Sequence, residues 1–355
     1  MFPEWLSLTP MKCYSYILLF AMMFINGCSN DIDISAEWRE IPIVYGLLDP
    51  SDSKHYVVIY KGFIDDELDN TILASNPDSI YFPDVLDVTI NDGQNEFTLQ
   101  REDASLFGMP KDTTRVNDSL PLYPASPNYV YTFSKQLNVT KTYELTITNT
   151  TNGNTYTSST TLLENFKITR PLPNFNFDLT SDDQEIQWDP AKNAEIYELT
   201  MRFSYTEWNV NSPGDKDTLF VDWVIPNRVI SDIDNPDSGL NLKIAPNTMY
   251  AILSSRLSDD NNLRRNALDS AVVFFISCGG SALREYIQLA DAQGGITQLQ
   301  IKPVYSNITD GLGIFSSRFV RMGRRLAITP PSLDSLSCGQ FTQFLNFTEF
   351  NNCPQ

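Results

Sequence analysis

The sequence predicts a mainly β protein built from sandwich-type units. Short apolar or alternating runs recur at close spacing and are separated by Gly, Pro and Asn. In one run Tyr143, Leu145 and Ile147 alternate with polar residues, which indicates a strand with one buried and one solvated face. Asn152-Gly153 then provides a two-residue hairpin signal before the next run. Regularly spaced short strands of this kind are typical of a sandwich.

The first half of the chain contains seven strand-like runs. We expect strands over residues 41–48, 55–63, 85–91, 96–100, 129–133, 142–148 and 155–162. The loops at residues 65–83 and 103–128 are long and rich in Asp, Asn, Ser and Pro. Long loops are often functional, but insertions in surface loops also have little effect on stability, and both interpretations stay open.

A domain boundary is predicted near residues 167–173, where the sequence KITRPLP indicates a stiff, extended linker. A strand ending at Trp188 follows, then a short Pro turn and an alternating run at residues 194–203. This pattern resembles the B and C strands of fibronectin type III domains, in which the Trp and the Tyr, here Trp188 and Tyr197, pack in the core. The resemblance bears on the fold and not on a ligand.

Two helices are expected in the second half. Residues 246–257 place Met, Tyr, Ile and Leu on one helical stripe, with Asn247 as the N-cap. Residues 281–290 show a second apolar stripe and begin at Ser281, another good N-cap residue. Between them, residues 269–278 form an apolar run typical of a buried strand.

The start of the chain resembles a bacterial lipoprotein signal peptide. Lys12 gives a positive start, residues 14–25 are apolar, and small residues precede Cys28. The apolar segment is shorter than the roughly 20 residues that a membrane-spanning helix needs. We therefore expect residues 1–27 to be the signal peptide, with Met11 as the true start, and Cys28 to be lipidated. The alternative is a free cysteine just past an ordinary secretory cleavage site.

Residues 28–40 are expected to form a lipidated tether. Bacterial lipoproteins carry a diacylglycerol group on such a cysteine and usually an N-acyl group, and stable attachment takes several chains. The acidic sequence at residues 29–33 partly resembles the surface-export signal of Bacteroidota lipoproteins. A solvated polar tether is the other interpretation, and the two are compatible. Residues 29–40 can extend about 40 Å.

The chain is strongly acidic. Its formal net charge is -19, from 44 acidic and 25 basic residues. Such a charge argues against nucleic acid as a partner and against adsorption to anionic lipid. Its ordinary meaning is solubility.

The cysteines and the single histidine limit the chemistry that is available. In an exported protein, Cys338 and Cys353 are close enough in sequence to form a disulfide, and Cys278 lies in an apolar run as a buried thiol. The only histidine, His55, lies at the start of a predicted strand. This composition argues against His-dependent catalysis and His/Cys zinc sites.

Two acidic clusters, at residues 65–69 and 232–237, are candidates for calcium, but solvated loops are the preferred interpretation. The second cluster has Pro236 where a ligand is needed, and no Glu closes it. A carboxylate pair for glycoside hydrolysis stays open, because nothing in the sequence selects two of the 44 acids. We therefore predict no catalytic residue, no metal and no cofactor.

Several segments resemble a family of uncharacterised Bacteroidota lipoproteins, a domain-of-unknown-function group often encoded beside TonB-dependent outer-membrane receptors. They are residues 41–48, 55–59, 250–265 and 311–318. The resemblance implies an immunoglobulin-like β-sandwich followed by a fibronectin type III-like β domain with a few helices. We place these at residues 41–166 and 167–330, with a C-terminal tail at residues 331–355.

These observations favour a non-enzymatic lipoprotein of the cell envelope at the outer membrane. We expect it to bind a protein or glycan partner, or to act as an accessory to a TonB-dependent transporter. Exposure at the cell surface is left open. The alternatives are a surface hydrolase acting on glycans or peptides, and a structural envelope protein.

Overall fold

A computed structural model describes residues 41–62, 75–109, 124, 126–180, 184–231, 235, 238–292 and 305–348. The predicted leader, Cys28 and the tether lie outside these residues. From Ile41 onward the chain forms one compact unit. Strands account for 46% of the described residues and helices for 16%, so the predicted mainly β class is confirmed.

The described residues form sixteen strands and four α-helices. The strands are β1 Pro42–Leu48, β2 Lys54–Lys61, β3 Leu86–Asn91, β4 Glu96–Thr98, β5 Gln100–Asp103, β6 Tyr129–Ser134, β7 Thr142–Asn149, β8 Thr155–Thr161, β9 Ile168–Arg170, β10 Gln184–Trp188, β11 Ile196–Asn209, β12 Asp217–Val224, β13 Val229–Ile230, β14 Leu240–Ile244, β15 Leu263–Gly279 and β16 Leu312–Met322. The helices are α1 Pro77–Ile80, α2 Thr248–Arg256, α3 Ser281–Ala292 and α4 Pro330–Cys338, and 3₁₀ turns occur at Ala104–Phe107 and Gln343–Leu345.

The strands form three sheets. The largest has the order β12-β11-β15-β16-β1-β2-β6-β5, with β13 also paired to β11. A four-stranded sheet has the order β4-β3-β7-β8, and a three-stranded sheet has the order β14-β10-β9. The hairpin between β7 and β8 turns at Asn152-Gly153, where Gly153 has a φ of 75°. Tyr143, Leu145 and Ile147 are buried, as their alternation predicts.

Strand β16 connects the two halves of the large sheet. Its first half pairs with β1 in parallel, from Ile43 opposite Leu312 to Leu48 opposite Ser317. Its second half pairs with β15 in antiparallel fashion, from Gly279 opposite Arg318 to Phe275 opposite Met322. One continuous strand therefore exchanges one partner for the other within a single residue step.

Two hydrophobic cores lie on this scaffold. The first lies between the β1, β2 and β6 part of the large sheet and the four-stranded sheet, and its last member before the linker is Leu162. The second begins with Leu163 and packs β11 and β15 against the three-stranded sheet and α2. Ile308 and Phe315, from the second half of the chain, pack in the first core.

The two predicted domains therefore share one sheet, and β16 supplies side chains to both cores. The predicted domain bounds, residues 41–166 and 167–330, stay a prediction. The predicted tail begins inside α4, and its described part contributes Leu336, Leu345 and Phe347 to the second core.

Trp188 and Tyr197 are fully buried in the second core, with ring centroids 5.7 Å apart, as expected from the sequence. The finer immunoglobulin and fibronectin assignments stay predictions. Asn247 is the N-cap residue of α2, but its φ of 62° places it in the left-handed region and its side chain makes no cap hydrogen bond. No helix in the described part of the chain is long and apolar enough to cross a membrane.

Candidate functional site

A cavity of about 340 Å³ lies between the predicted linker and the segment that follows β16. We call it the cationic cavity. Its walls are mainly apolar and include Ile168, Leu172, Phe274 and Leu326. Two cationic residues, Lys167 and Arg324, also line it, together with Thr169, Pro171, Pro173 and Gly323. Apolar walls with a few polar groups are the usual composition of ligand pockets.

Backbone hydrogen bonds fix the two sides of the cavity. The N–H of Gly323 donates to the carbonyl of Phe274 at 2.7 Å, and Leu326 exchanges two such bonds with Val272. These bonds hold the chain after β16 against β15. On the other side, Trp188 of β10 pairs with Ile168 of β9. Paired backbone therefore holds both sides of the cavity, while Pro171, Leu172 and Pro173 line it from the segment after β9.

Gly323 allows the close approach of the two sides. A β carbon at this position would lie 3.2 Å from the carbonyl oxygen of Phe274 and 3.4 Å from Cδ1 of Ile168. The first distance is tighter than an ordinary contact and the second is at its limit, so a side chain here would press on the backbone of β15 and fill the space next to Ile168.

Five cationic side chains in these two segments lack a partner. In the described part of the chain, Lys167, Arg170, Arg321, Arg324 and Arg325 form no ion pair, hydrogen bond or ring contact through their side chains, and all five are exposed. Every other described Lys or Arg has at least one such contact. The unpartnered cations of the described residues thus fall in two short stretches, 167–170 and 321–325, and one cation from each stretch lines the cavity.

Acidic side chains close to these segments do not neutralise them. Glu185 lies on β10, which pairs with β9, and it accepts a hydrogen bond from Gln187 at 2.7 Å. Asp189 directly follows β10 and is exposed. Neither forms an ion pair with a described cation, so the rim keeps a local positive potential.

Exposed apolar side chains lie in the same segments. Leu172 is 61% exposed, Met322 48% and Phe175 41%. Of these three, Leu172 also lines the cavity. The cavity therefore offers positive charge and exposed apolar surface together.

Most of the predicted site residues lie outside the described part of the chain. Cys28 and Cys353 lie outside the described residues, and so does the acidic cluster at residues 65–69. Of the cluster at residues 232–237, the structure describes only Asn235. Cys338 is disulfide-bonded, but its predicted pairing with Cys353 stays a prediction. The described residues contain no group of three or more His, Cys, Asp or Glu side chains that could hold a metal ion.

Cys278 and His55 are both buried side chains of the protein interior. Cys278 is a free thiol with 3% exposure, as expected, and burial raises its pKa to about 12. His55 is 2% exposed, and its Nε2 lies 2.9 Å from the carbonyl oxygen of Lys135. Burial lowers the pKa of the imidazole, so the ring is neutral near pH 7.

Reasoning from the sequence did not identify the cationic cavity, although part of its signal was visible. The run from Arg318 to Arg325 contains four arginines within eight residues of an acidic chain. Such a local charge excess is a recognisable pattern. The approach of residues 167–173 to this run depends on the pairing of β15 with β16, which no local pattern predicts.

Comparisons with known proteins do not assign the chain to a family. No protein-family model matches it, and no curated protein matches it. The predicted relation to Bacteroidota lipoproteins therefore stays a prediction, and the function rests on the geometry described above.

Proposed function

We propose that the chain is a lipid-anchored, non-enzymatic binding protein of the bacterial outer membrane, and that the cationic cavity holds its ligand. The ligand is an amphipathic anion, with a phosphate or carboxylate group attached to an apolar chain. The observation that supports this function is the pair of unpartnered cations, Lys167 and Arg324, that line an apolar cavity in a chain of net charge -19. Three more unpartnered cations lie within three residues of them in sequence.

The acidic head of the ligand would pair with the guanidinium groups. Arginine binds carboxylate and phosphate through two parallel hydrogen bonds, and these are stronger than neutral ones. Arg324 lines the cavity and Arg325 follows it directly. Because the whole chain repels anions at long range, the local cations must act at short range, within a Debye length of about 8 Å at physiological salt.

The apolar part of the ligand would lie against Ile168, Leu172 and Phe274. Each buried CH₂ group contributes about 0.8 kcal/mol to binding. A short acyl or aromatic group thus adds several kcal/mol, which a small inorganic anion cannot gain here. This difference favours an amphipathic ligand over a simple salt ion.

The envelope location is supported by the signal-like sequence before Cys28 and by the resemblance to Bacteroidota lipoproteins. The finer fold proposal, an immunoglobulin-like unit followed by a fibronectin-like unit, is supported by the Trp188–Tyr197 packing across β10 and β11. A TonB-dependent receptor is proposed as the protein partner. Its co-purification with the detergent-extracted chain tests this part of the proposal.

The hydrolase alternative requires two facing carboxylates in a cleft. No carboxylate side chain lines the cationic cavity. The arrangement of charges and apolar walls therefore favours binding over acid–base chemistry at this site.

Titration of the full chain with oleate, measured by isothermal titration calorimetry, tests the chemistry of the ligand. We expect saturable binding that weakens as salt rises, because the head-group contact is electrostatic. Replacement of both Arg324 and Arg325 by Gln should weaken binding about tenfold, in line with the loss of roughly 1.4 kcal/mol. Neutral vesicles and vesicles containing an anionic phospholipid, tested in parallel, distinguish a free amphiphile from a membrane surface.

The matched control is Lys192→Gln with Lys216→Gln. This double substitution removes the same total charge. Lys192 and Lys216 are both exposed and lie outside the cavity lining. Equal weakening in both double variants would indicate a general charge effect and would contradict the proposed site.

The anchor is tested separately. Cys28→Ala should move the protein from the membrane fraction to the soluble fraction, because a lipidated cysteine would supply the acyl chains. Retention of the variant in the membrane fraction would show that something other than lipid on Cys28 holds it there.

A further inference from the structure

A second cavity, of about 220 Å³, lies where the two cores meet. We call it the hydroxyl pocket, because hydroxyl and amide side chains form most of its lining. They are Thr142, Ser159, Thr160, Thr161, Asn193, Ser281 and Ser316. No charged side chain lines it, and the cationic cavity shares none of its residues.

The first turn of α3 forms one wall of the pocket. Gly280, Ser281 and Ala282 line it, and α3 is twelve residues long. The first N–H groups of a helix have no acceptor within the helix and carry a partial positive charge. In the described part of the chain, the amides of Ser281 and Ala282 donate to no acceptor. Two donors are therefore available at the pocket.

Ser316 provides an independent indication of a ligand. Ser316 is 2% exposed, yet its hydroxyl has no hydrogen-bond partner among the described residues. The neighbouring Ser317 shows the ordinary arrangement, because its hydroxyl donates to the carbonyl of Thr161 at 2.7 Å. Because Ser316 is nearly buried and lines the pocket, a water molecule or a ligand in the pocket can supply the partner of this hydroxyl.

Gly280 keeps the space above this hydroxyl open. A β carbon at residue 280 would stand 3.7 Å from Oγ of Ser316 and 3.6 Å from the carbonyl oxygen of Asn193. A side chain there would occupy the region that the hydroxyl and the helix amides share. Asn193 is fixed beside it, since its Nδ2 donates to the carbonyl of Leu162 at 2.9 Å.

From these contacts we infer that the hydroxyl pocket binds a compact oxyanion, such as phosphate, sulfate or the carboxylate of a larger molecule. The helix amides and the buried hydroxyl supply converging donors, which is the usual way in which a helix start holds an anion. The nearest cation on α3, Arg284, is occupied by Glu195 at 2.9 Å. The site therefore depends on N–H and O–H donors and not on an ion pair.

The bound anion would connect elements of both cores. β8 belongs to the sheet over the first core, α3 follows the long strand of the second core, and Ser316 lies on β16, which serves both. A ligand that binds only the folded chain raises the midpoint of unfolding with its concentration. Oxyanion binding should thus appear both as heat and as thermal stabilisation.

The test uses the full chain carrying Arg324→Gln and Arg325→Gln, so that binding at the cationic cavity does not contribute. Inorganic phosphate and sulfate are titrated by calorimetry at constant ionic strength, with chloride as the reference anion. We expect one site per chain and a rise in melting temperature. Failure of the oleate experiment leaves this outcome unaffected, because the two sites share no residue.

Ser316→Ala removes the buried donor, and Ala282→Pro removes one amide where proline is tolerated in the first helical turn. Each should weaken phosphate binding at least fivefold. Ser204→Ala is the matched control, because Ser204 is also a buried strand serine of the large sheet but lies on β11. No oxyanion binding by the parent, or equal binding by all three variants, would overturn the inference.

Discussion

Arg265 shows how a single residue joins distant parts of the molecule. Arg265 is 1% exposed, and its Nε lies 2.7 Å from the carboxylate of Glu207 on β11. Its Nη1 donates to the carbonyls of Leu345 at 2.7 Å and Ser258 at 3.1 Å. A buried guanidinium is stable only when its donors are satisfied, and here the partners come from three separate segments.

Replacement of Arg265 by Leu should lower the free energy of unfolding by about 3 kcal/mol, because the carbonyls and the carboxylate lose their donor. Urea denaturation followed by tryptophan fluorescence measures this change. Arg264→Leu is the control, since Arg264 is only half-buried and bonds to nearby loop carbonyls. Equal losses in the two variants would contradict the special role of Arg265.

Cys278 predicts a loss of stability at alkaline pH. Burial raises the pKa of its thiol from 9.0 to about 12, so the folded state holds the proton more tightly than the unfolded state. The resulting stability is complete below pH 9 and falls as pH rises toward 12. Burial also raises the pKa of Tyr197 to about 12, which adds to the same trend.

The measurement is the free energy of unfolding of the parent and of Cys278→Ala between pH 8 and pH 11. The variant should lose stability less steeply above pH 9, whatever its stability at pH 8. Parallel curves would show that the thiol does not contribute to the alkaline transition. Native Cys278 should also react slowly with thiol reagents at pH 8, because little thiolate is present.

At the scale of the elements, the parallel pairing of β1 with β16 depends on Gly313. Its φ is 101°, and a β carbon would stand 2.0 Å from the carbonyl oxygen of Val44. No L side chain fits this position without moving β1. Gly93 also has a positive φ, of 83°, but nothing lies within 4 Å of a β carbon there.

Gly313→Ala should therefore destabilise the protein far more than Gly93→Ala. Backbone strain alone costs about 1–2 kcal/mol at either site, and the clash adds about 1–3 kcal/mol at Gly313. Thermal and chemical denaturation of both variants provide the comparison. If both lose the same stability, the close approach of β16 to β1 is not as tight as described.

Local patterns in the sequence predicted most elements but not their partners. The alternation at Tyr143, the Asn152-Gly153 turn and the apolar stripe of α2 are local signals, and each produced the expected element. The lengths of β11 and β15 were underestimated, because their outer halves carry polar residues such as Thr206 and Asn266 that resemble loop. The helix α4 was not predicted, although Pro330 and Pro331 fit a first helical turn.

The candidate sites depend on contacts between distant segments, which is why the sequence did not predict them. Arg324 and Lys167 meet only because β16 ends beside β9. In the sequence Ser316 is an ordinary strand serine. Only the packing of α3 against β16 forms the pocket beside it. Cys28 is the opposite case, since its predicted lipidation rests on a local sequence pattern and needs no fold.

At the scale of the whole molecule, the shared sheet makes the two halves interdependent. A fragment of residues 41–166 would lack β16, and with it Phe315, which is fully buried in the first core. We expect this fragment to be largely unfolded by circular dichroism and proton NMR. A fragment with dispersed resonances and cooperative melting would instead support two independent domains.

The long separation of β1 and β16 along the chain also has a consequence for biosynthesis. About 260 residues are made between β1 and the strand that covers one of its edges. Until then β1 presents open backbone groups, which can pair with other chains. Messages truncated before residue 312 would therefore encode aggregation-prone products, and the growing chain would need protection by chaperones until β16 emerges.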